Sequence, residues 1–144
     1  MLFRSAKHRP FNSLEEGLAR FRLSPPQQAR NEFIADYIAR RSLVECEDGW
    51  FWRFDPRRVR IDAERCVGEP GELRCPTALI YGDRSALVTP ETLPRSLDIL
   101  PAGTPTIAIP DAAHHILIDQ PLALVGTLRA LLTRWPEELN RSLV

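Results

Sequence analysis

The sequence predicts an α/β fold whose second half holds two parallel strands, each followed by a loop and a helix. Two short apolar runs, residues 76–81 and 105–109, have the unbroken hydrophobicity of parallel strands that are buried on both faces. A segment with helical spacing of apolar residues follows each run. Residues up to about Arg60 differ, because they combine helical spacing with a short aromatic strand. The order strand, helix, strand, helix is that of a βαβα unit.

Composition bounds the size of the protein and the partners that it is expected to have. The chain has 144 residues, of which 44% are hydrophobic and 26% charged, the balance of an ordinary globular domain. Its formal net charge is zero, which gives no electrostatic reason to expect nucleic acid or an anionic membrane as partner. The longest apolar runs are too short to span a bilayer. We therefore expect neither nucleic acid nor membrane among its partners.

The cysteines and glycines predict neither a metal site nor a cofactor site. Cys46, Cys66 and Cys75 form no C-x-x-C pair and are not joined by clustered histidines, so zinc is not expected. Neither a dinucleotide-binding nor a P-loop glycine motif occurs, so no cofactor is expected. An odd cysteine count, with no signal-peptide core at the N-terminus, predicts reduced thiols and a cytoplasmic location.

Residues 1–60 form the first predicted segment, which is helical and includes an aromatic hairpin. Ser13 and Glu16 have the spacing of a capping box, which predicts a helix that ends before Pro25. A second helix is predicted over residues 31–41, and a turn at Gly49 leads into an aromatic strand over residues 50–54. The face of the second helix that is predicted to be apolar consists of Phe33, Ile34, Tyr37 and Ile38.

Residues 61–74 are a polar connector, and residues 75–144 hold the predicted βαβα unit. Thr89 is expected to cap the helix that follows the first strand, with Pro90 at its first position and an end near Leu100. The last helix is expected to open at residues 119–121 and to end near Arg134, because Pro136 follows. Its predicted apolar face consists of Leu124, Val125, Leu128, Leu131 and Leu132.

Two segments of the second half carry a family resemblance. Residues 75–83, CPTALIYGD, are similar to the strand-7 segment of α/β-hydrolases, and residues 112–121, AAHHILIDQP, are similar to their histidine loop after strand 8. Residues 10–16 and 49–56 resemble more weakly the cap segment that precedes strand 7 in many of these enzymes. The chain is thus expected to be the C-terminal portion of an α/β-hydrolase fold, with part of the cap and an incomplete sheet.

The resemblance implies roles for two residues. His114 stands seven residues before Pro121, the spacing of the family's catalytic base, which accepts and returns a proton. The alternative is a histidine that only bonds the backbone of its turn. The family often places its acid three residues after the strand-7 glycine, and that residue here is Ser85. Asp83 is the nearest carboxylate and is the candidate acid. Alternatively, Asp83 is a turn residue or a partner of Arg84. In some hydrolases the acid follows strand 6, which is expected to precede this sequence.

Four neighbouring residues have simpler interpretations. His115 is expected to pack or to form structural bonds. Asp111 is expected to bond the backbone of its own loop, and Asp119 to cap the last helix or to lie in its first turn. Trp50 and Trp52 lie on one face of their strand, and ordinary packing is favoured over the lining of a substrate pocket.

The family's nucleophile is not in this sequence. The 144 residues contain no G-x-S-x-G elbow, so Met1 is expected to fall inside the cap of a longer parent, as in a late-started reading frame, a fragment or a split protein. The parent is expected to hydrolyse an ester or related bond of a small-molecule substrate, and this chain to be inactive and aggregation-prone alone. Two alternatives remain: a non-catalytic binding or assembly module, and half of a split hydrolase whose partner chain supplies the N-terminal half.

Overall fold

In the computed structural model, residues 10–54 and 76–142 are described, with side chains up to residue 133. These residues form a mixed α/β structure with five helices and two two-stranded sheets. They divide into two compact units, residues 10–26 with 31–54 and residues 27–30 with 76–142. The connector over residues 61–74, together with Cys66 and Cys75, lies outside the described residues. The elements are α1 (Leu14–Arg20), α2 (Glu32–Arg41), β1 (Leu43–Cys46), β2 (Gly49–Trp52), β3 (Leu79–Gly82), α3 (Leu93–Asp98), β4 (Thr106–Ile109), α4 (Ile116–Asp119) and α5 (Pro121–Ser142).

Helix α1 begins where the capping box predicts. The Ser13 hydroxyl accepts a hydrogen bond from the backbone N–H of Glu16. The reciprocal bond differs from the predicted pattern by one residue, because the Glu16 carboxylate accepts from the backbone N–H of Asn12. It also accepts from the Asn12 side-chain amide. Two otherwise unsatisfied N–H groups at the start of the helix are thereby bonded.

Helix α2 buries only part of the face that the sequence predicts to be apolar, because Ile34 and Ile38 are half-buried. It covers Glu32–Arg41 as expected, but Phe33 and Tyr37 are 72% and 61% exposed. The small residue Ala39, next to Ile38, is the buried residue of this helix. An alanine lets the helix approach its neighbours closely, whereas the two aromatic rings are left on the outer side. The guanidinium of Arg41 lies over the Tyr37 ring, 5.4 Å from its centre.

The first unit contains an antiparallel hairpin against which its helices pack. Strand β1 pairs with β2 in the register Leu43 with Trp52, and the turn between them uses a positive φ of 122° at Gly49. Leu43 is 2% exposed and lies against Gly17 of α1. The Trp52 ring meets Phe11 edge to face, with centroids 5.5 Å apart. Strand β1, whose residues the sequence pattern does not predict, therefore completes the predicted hairpin.

The second unit contains the predicted pair of parallel strands. Strand β3 pairs with β4 in parallel, from Leu79 with Thr106 to Gly82 with Ile109. Both are shorter than the apolar runs that predict them, four residues each. In the described residues this sheet has only these two strands, so the prediction of a two-stranded, incomplete sheet agrees with the structure. Among the described residues of this unit, the buried hydrophobic side chains are those of Ile109, Ala112 and Ile118.

Helix α3 begins later than predicted. Its N-cap is Thr92, not Thr89, and the helix covers Leu93–Asp98. The Thr89 hydroxyl instead donates to the carboxylate of Glu91, and the Thr89 backbone N–H donates to the Thr92 hydroxyl. These local side-chain bonds compete with the helical pattern and hold residues 89–92 in a turn.

The C-terminal helices also depart from the prediction. Asp119 does not cap the last helix, because it ends the short helix α4 and is buried. Helix α5 continues through Pro136 to Ser142, so the predicted end near Arg134 is wrong. A proline in a helix removes one backbone donor, and here the remaining hydrogen bonds carry the helix past it.

The predicted apolar face of α5 is only partly covered. Leu124 and Leu131 are half-buried, but Val125, Leu128 and Leu132 are exposed. The neighbouring Leu122 is 86% exposed. The second unit, in its described residues, thus leaves a row of leucine and valine side chains in water, which costs the hydrophobic free energy that burial would supply.

The described residues include no helix that combines the length and the hydropathy needed to cross a bilayer.

Candidate functional site

The candidate site lies where the two parallel strands end. The chain leaves β3 at Gly82 and leaves β4 at Ile109, and these two residues are partners in the register. Because parallel strands end at the same edge of a sheet, the loops that follow them meet there. The first loop carries Asp83 and Ser85, and the second carries His114.

The two loops meet by close backbone contact at Gly82. A Cβ atom at position 82 would lie 2.2 Å from the carbonyl oxygens of both Ala112 and Ala113. The backbone N–H of Arg84 donates to the Ala112 carbonyl at 2.9 Å, and that of Asp83 donates to the Ile109 carbonyl at 3.1 Å. Only glycine at position 82 lets the histidine loop lie against the end of β3.

An exposed ion pair also joins the loops. The Arg84 guanidinium contacts the carboxylate of Asp111, which has a positive φ of 56°. The sequence predicts that Asp111 bonds its own loop, and Arg84 is one of the alternative partners of Asp83. The structure instead pairs Arg84 with Asp111 across the two loops. Since both side chains are more than half exposed, this pair contributes little to stability.

Ser85 is the side chain that contacts His114. Its Oγ lies 3.3 Å from Nδ1 of the His114 ring. The same oxygen accepts hydrogen bonds from the backbone N–H groups of Leu87 and Val88, each at 3.2 Å. Ser85 is only 6% exposed. A buried hydroxyl thus occupies the position at which the resemblance places an acid.

His114 favours its neutral form. Burial, and to a smaller extent the neighbouring His115, lowers the pKa of His114 below its ordinary value of 6.5. The two imidazole rings meet edge to face, with centroids 5.3 Å apart. Partial burial and a second imidazole both disfavour a positive charge, so the ring is largely uncharged at neutral pH.

Asp83, the candidate acid, is exposed and does not contact His114. Across residues 10–54 and 76–133, no carboxylate oxygen lies within hydrogen-bonding distance of a His114 ring nitrogen. The structure therefore brings His114 together with Ser85 and leaves Asp83 apart from it. The alternative, an acid that follows strand 6 in the part of the parent expected to precede residue 1, is not tested by these residues.

A buried polar network fixes the backbone of the histidine loop. Asp119 is 6% exposed, and its Oδ2 accepts from the backbone N–H of Ala113 at 2.8 Å. The same oxygen accepts from the side-chain amide of Gln27 at 3.2 Å. The amide oxygen of Gln27 in turn accepts from the backbone N–H of His115 at 2.8 Å. Gln27 and Asp119 thus bond the residues on both sides of His114.

Trp50 and Trp52 belong to the first unit. Beyond its edge contact with Phe11, the Trp52 ring stacks on Phe54 with centroids 5.5 Å apart. The backbone of Trp50 pairs with that of Phe11. Both tryptophans are partly buried among neighbours of the hairpin, as ordinary packing requires.

The donor set of the site suits proton transfer or hydrogen bonding. Among the described residues, no three His, Cys, Asp or Glu side chains are grouped so that they could hold a metal ion. A neutral imidazole beside a hydroxyl can exchange a proton or bind a polar ligand. With Asp83 apart from the ring, these residues supply no carboxylate to stabilise an imidazolium.

Two members of this site were not singled out from the sequence. Ser85 enters the sequence analysis only as the residue that stands where the family often has an acid. A signal for Ser85 is present in the sequence: a serine in a turn can bond the backbone N–H groups of the residues two and three positions later, here Leu87 and Val88. Gln27 gave no signal, because it is 88 residues from His115 and 92 from Asp119 along the chain.

Comparisons with protein-family models, with curated proteins and with solved structures found no significant match to this chain.

Proposed function

We propose that the second unit is the histidine-bearing C-terminal part of an α/β-hydrolase. The parent protein would hydrolyse an ester or related bond of a small molecule through a relay of nucleophile, histidine and acid. One observation carries this proposal. His114 follows the second of two parallel strands and lies against the loop that leaves the first, at the strand edge where open α/β sheets bind ligands.

These 144 residues would not complete the relay by themselves. They contain no G-x-S-x-G elbow, and the buried Ser85 has its Oγ bonded to two backbone N–H groups. A nucleophile must be reachable by substrate, and Ser85 is 6% exposed. The nucleophile is therefore proposed to come from residues outside this sequence.

The direct test uses the purified chain, a fluorophosphonate that labels activated serines, and p-nitrophenyl acetate as substrate. We expect no stoichiometric labelling, and hydrolysis no faster than that of a His114→Gln variant. Covalent labelling of the chain at one equivalent would overturn the proposal that the nucleophile is absent.

A second test addresses the family itself. Translation of the coding DNA upstream of the Met1 codon is expected to reveal an in-frame elbow motif within about 150 residues, roughly one domain. An aspartate at the elbow would indicate a dehalogenase or an epoxide hydrolase in place of an esterase. Co-expression of that segment with this chain should give esterase activity that His114→Gln abolishes. An upstream frame without an elbow would contradict the proposal.

A second candidate function, a non-catalytic binding or assembly module, is favoured by one specific observation. Ser85, not a carboxylate, contacts His114. A protein that has lost the acid keeps the scaffold without the relay. For such a module, the product of co-expression would be stable but inactive, whether or not His114 is present.

The third alternative is half of a split hydrolase. The exposed side chains of Val125, Leu128 and Leu132 would suit it, because a partner chain could bury them.

A further inference from the structure

We propose that Ser85 is a positioning residue that holds His114 in the neutral tautomer with its proton on Nε2. His114 would then present a hydrogen-bond donor, and not a base, at the ring nitrogen that faces away from Ser85. The tautomer itself follows from contacts within the second unit. Its consequence for a hydrolytic relay rests on the proposed function.

The argument starts from the hydrogen-bonding capacity of one hydroxyl. A serine hydroxyl has one proton and two lone pairs. Two backbone N–H groups, those of Leu87 and Val88, already donate to the Ser85 oxygen. The neighbour that remains within hydrogen-bonding distance is Nδ1 of His114, at 3.3 Å. The proton of the hydroxyl is the group left to serve this contact, so Ser85 donates and Nδ1 accepts.

Acceptance at Nδ1 determines the state of the other ring nitrogen. A neutral imidazole carries one N–H and one lone pair, so an accepting Nδ1 places the proton on Nε2. The opposite arrangement would give the Ser85 oxygen three donors for two lone pairs and would leave its own proton without an acceptor. Burial of Ser85 makes that arrangement costly, because water cannot easily replace the missing partner.

This tautomer is the reverse of the one that a base requires. In a nucleophile–histidine–acid relay, the acid accepts a proton bond from one ring nitrogen, which leaves the lone pair of the other to take the nucleophile's proton. Here no carboxylate of the described residues accepts from His114, and Asp83 is apart from the ring. As built, the site would donate a hydrogen bond to a carbonyl or anionic oxygen instead of removing a proton.

The experiment is a long-range ¹H–¹⁵N correlation spectrum of the full chain with ¹⁵N-labelled histidine, recorded near neutral pH. The chain has three histidines, and the His114 signals are identified by their loss in a His114→Gln variant. We expect the shift of a protonated nitrogen at Nε2 and that of an unprotonated nitrogen at Nδ1. A wild-type spectrum with the proton on Nδ1 would overturn the inference by itself, whatever the variants do.

Two variants separate positioning from mere packing. Ser85→Ala should leave a mixture of tautomers, because the hydroxyl donor is lost. Ser85→Asp should move the proton to Nδ1 and should make His114 titrate at a higher pH than in the wild type, because a carboxylate accepts from Nδ1 and stabilises the imidazolium. Ser96→Ala, a change in α3, is the matched control and should leave the His114 signals unchanged.

The inference fails if Ser85→Ala, with an otherwise native spectrum, keeps the pure Nε2–H tautomer. These outcomes are independent of the fluorophosphonate test. Labelling of the wild-type chain would overturn the proposed absence of the nucleophile from this chain and would leave the tautomer to be read from the spectrum. A wild-type Nδ1–H tautomer would contradict the inference and would not contradict the proposed function.

Discussion

Gly82 lies so close to Ala112 that a Cβ atom at position 82 would be 2.2 Å from the Ala112 carbonyl oxygen. This contact joins the end of strand β3 to the loop that carries His114. Because the obstructing atom belongs to the backbone, it cannot move aside as a flexible side chain can. The two loops can lie this close because glycine has no side chain. The contact between Ser85 and His114 therefore depends on glycine at position 82.

Gly82→Ala is therefore expected to destabilise the second unit by about 3 kcal/mol or more, the upper range for overpacking. Amide hydrogen–deuterium exchange resolved by peptide should show loss of protection over residues 79–85 and 106–119. The matched control is Gly126→Ala in α5, where a Cβ meets no atom within 4 Å. That change should stabilise the helix by about 0.5–1 kcal/mol. Equal protection in the two variants would contradict the role of Gly82.

Gln27→Ala tests the network that holds the histidine loop. The change removes the bonds from Gln27 to the Asp119 carboxylate and to the backbone N–H of His115. We expect a loss of about 1–3 kcal/mol, typical of removing hydrogen bonds from part-buried polar groups. The His115 amide should exchange faster in NMR exchange measurements. Gln28→Ala, at the exposed neighbouring residue, is the control. Unchanged protection of the His115 amide would rule out the network as a support.

The lowered pKa of His114 predicts a pH dependence of stability with a definite sign. The folded chain binds the proton of His114 less readily than the unfolded chain, because burial and then His115 disfavour the charged ring. Stability from this group is therefore fully present above the unfolded pKa of 6.5 and is lost as the pH falls from there through the folded pKa. Urea unfolding midpoints should fall over this window more steeply in the wild type than in His114→Gln. Parallel curves for the two proteins would exclude this contribution.

A double-mutant cycle tests the core of the first unit. A Cβ at Gly17 would lie 2.8 Å from Cδ1 of Leu43, which is 2% exposed. Leu43→Ala alone should cost about 2–5 kcal/mol. Gly17→Ala should be destabilising or neutral in the wild type, because its helix-propensity gain opposes the clash, but stabilising by up to about 1 kcal/mol in the Leu43→Ala background. Tryptophan fluorescence in urea measures all four proteins; additive effects would contradict direct packing of these residues.

Local chemistry explains which elements could be predicted from the sequence. Ser13 begins α1 because its hydroxyl reaches the Glu16 N–H three residues away, an interaction that needs no tertiary context. The same local chemistry misled at Thr89, where threonine hydroxyls form a turn before the helix. Phe33 and Tyr37 share the predicted apolar face of α2 but are exposed, because the neighbouring elements, and not hydrophobicity alone, decide which part of a helix is buried.

The amino-acid order alone determined a pair of parallel strands with a histidine in the second loop, because buried apolar runs, prolines and capping residues act over a few neighbouring positions. Tertiary structure alone decided that Ser85, and not Asp83, meets His114, and that Gln27 bonds the loop around it from 88 residues away. The reason is physical: a hydrogen bond between distant segments depends on how closely two backbones approach, and that approach is set here by Gly82 against Ala112.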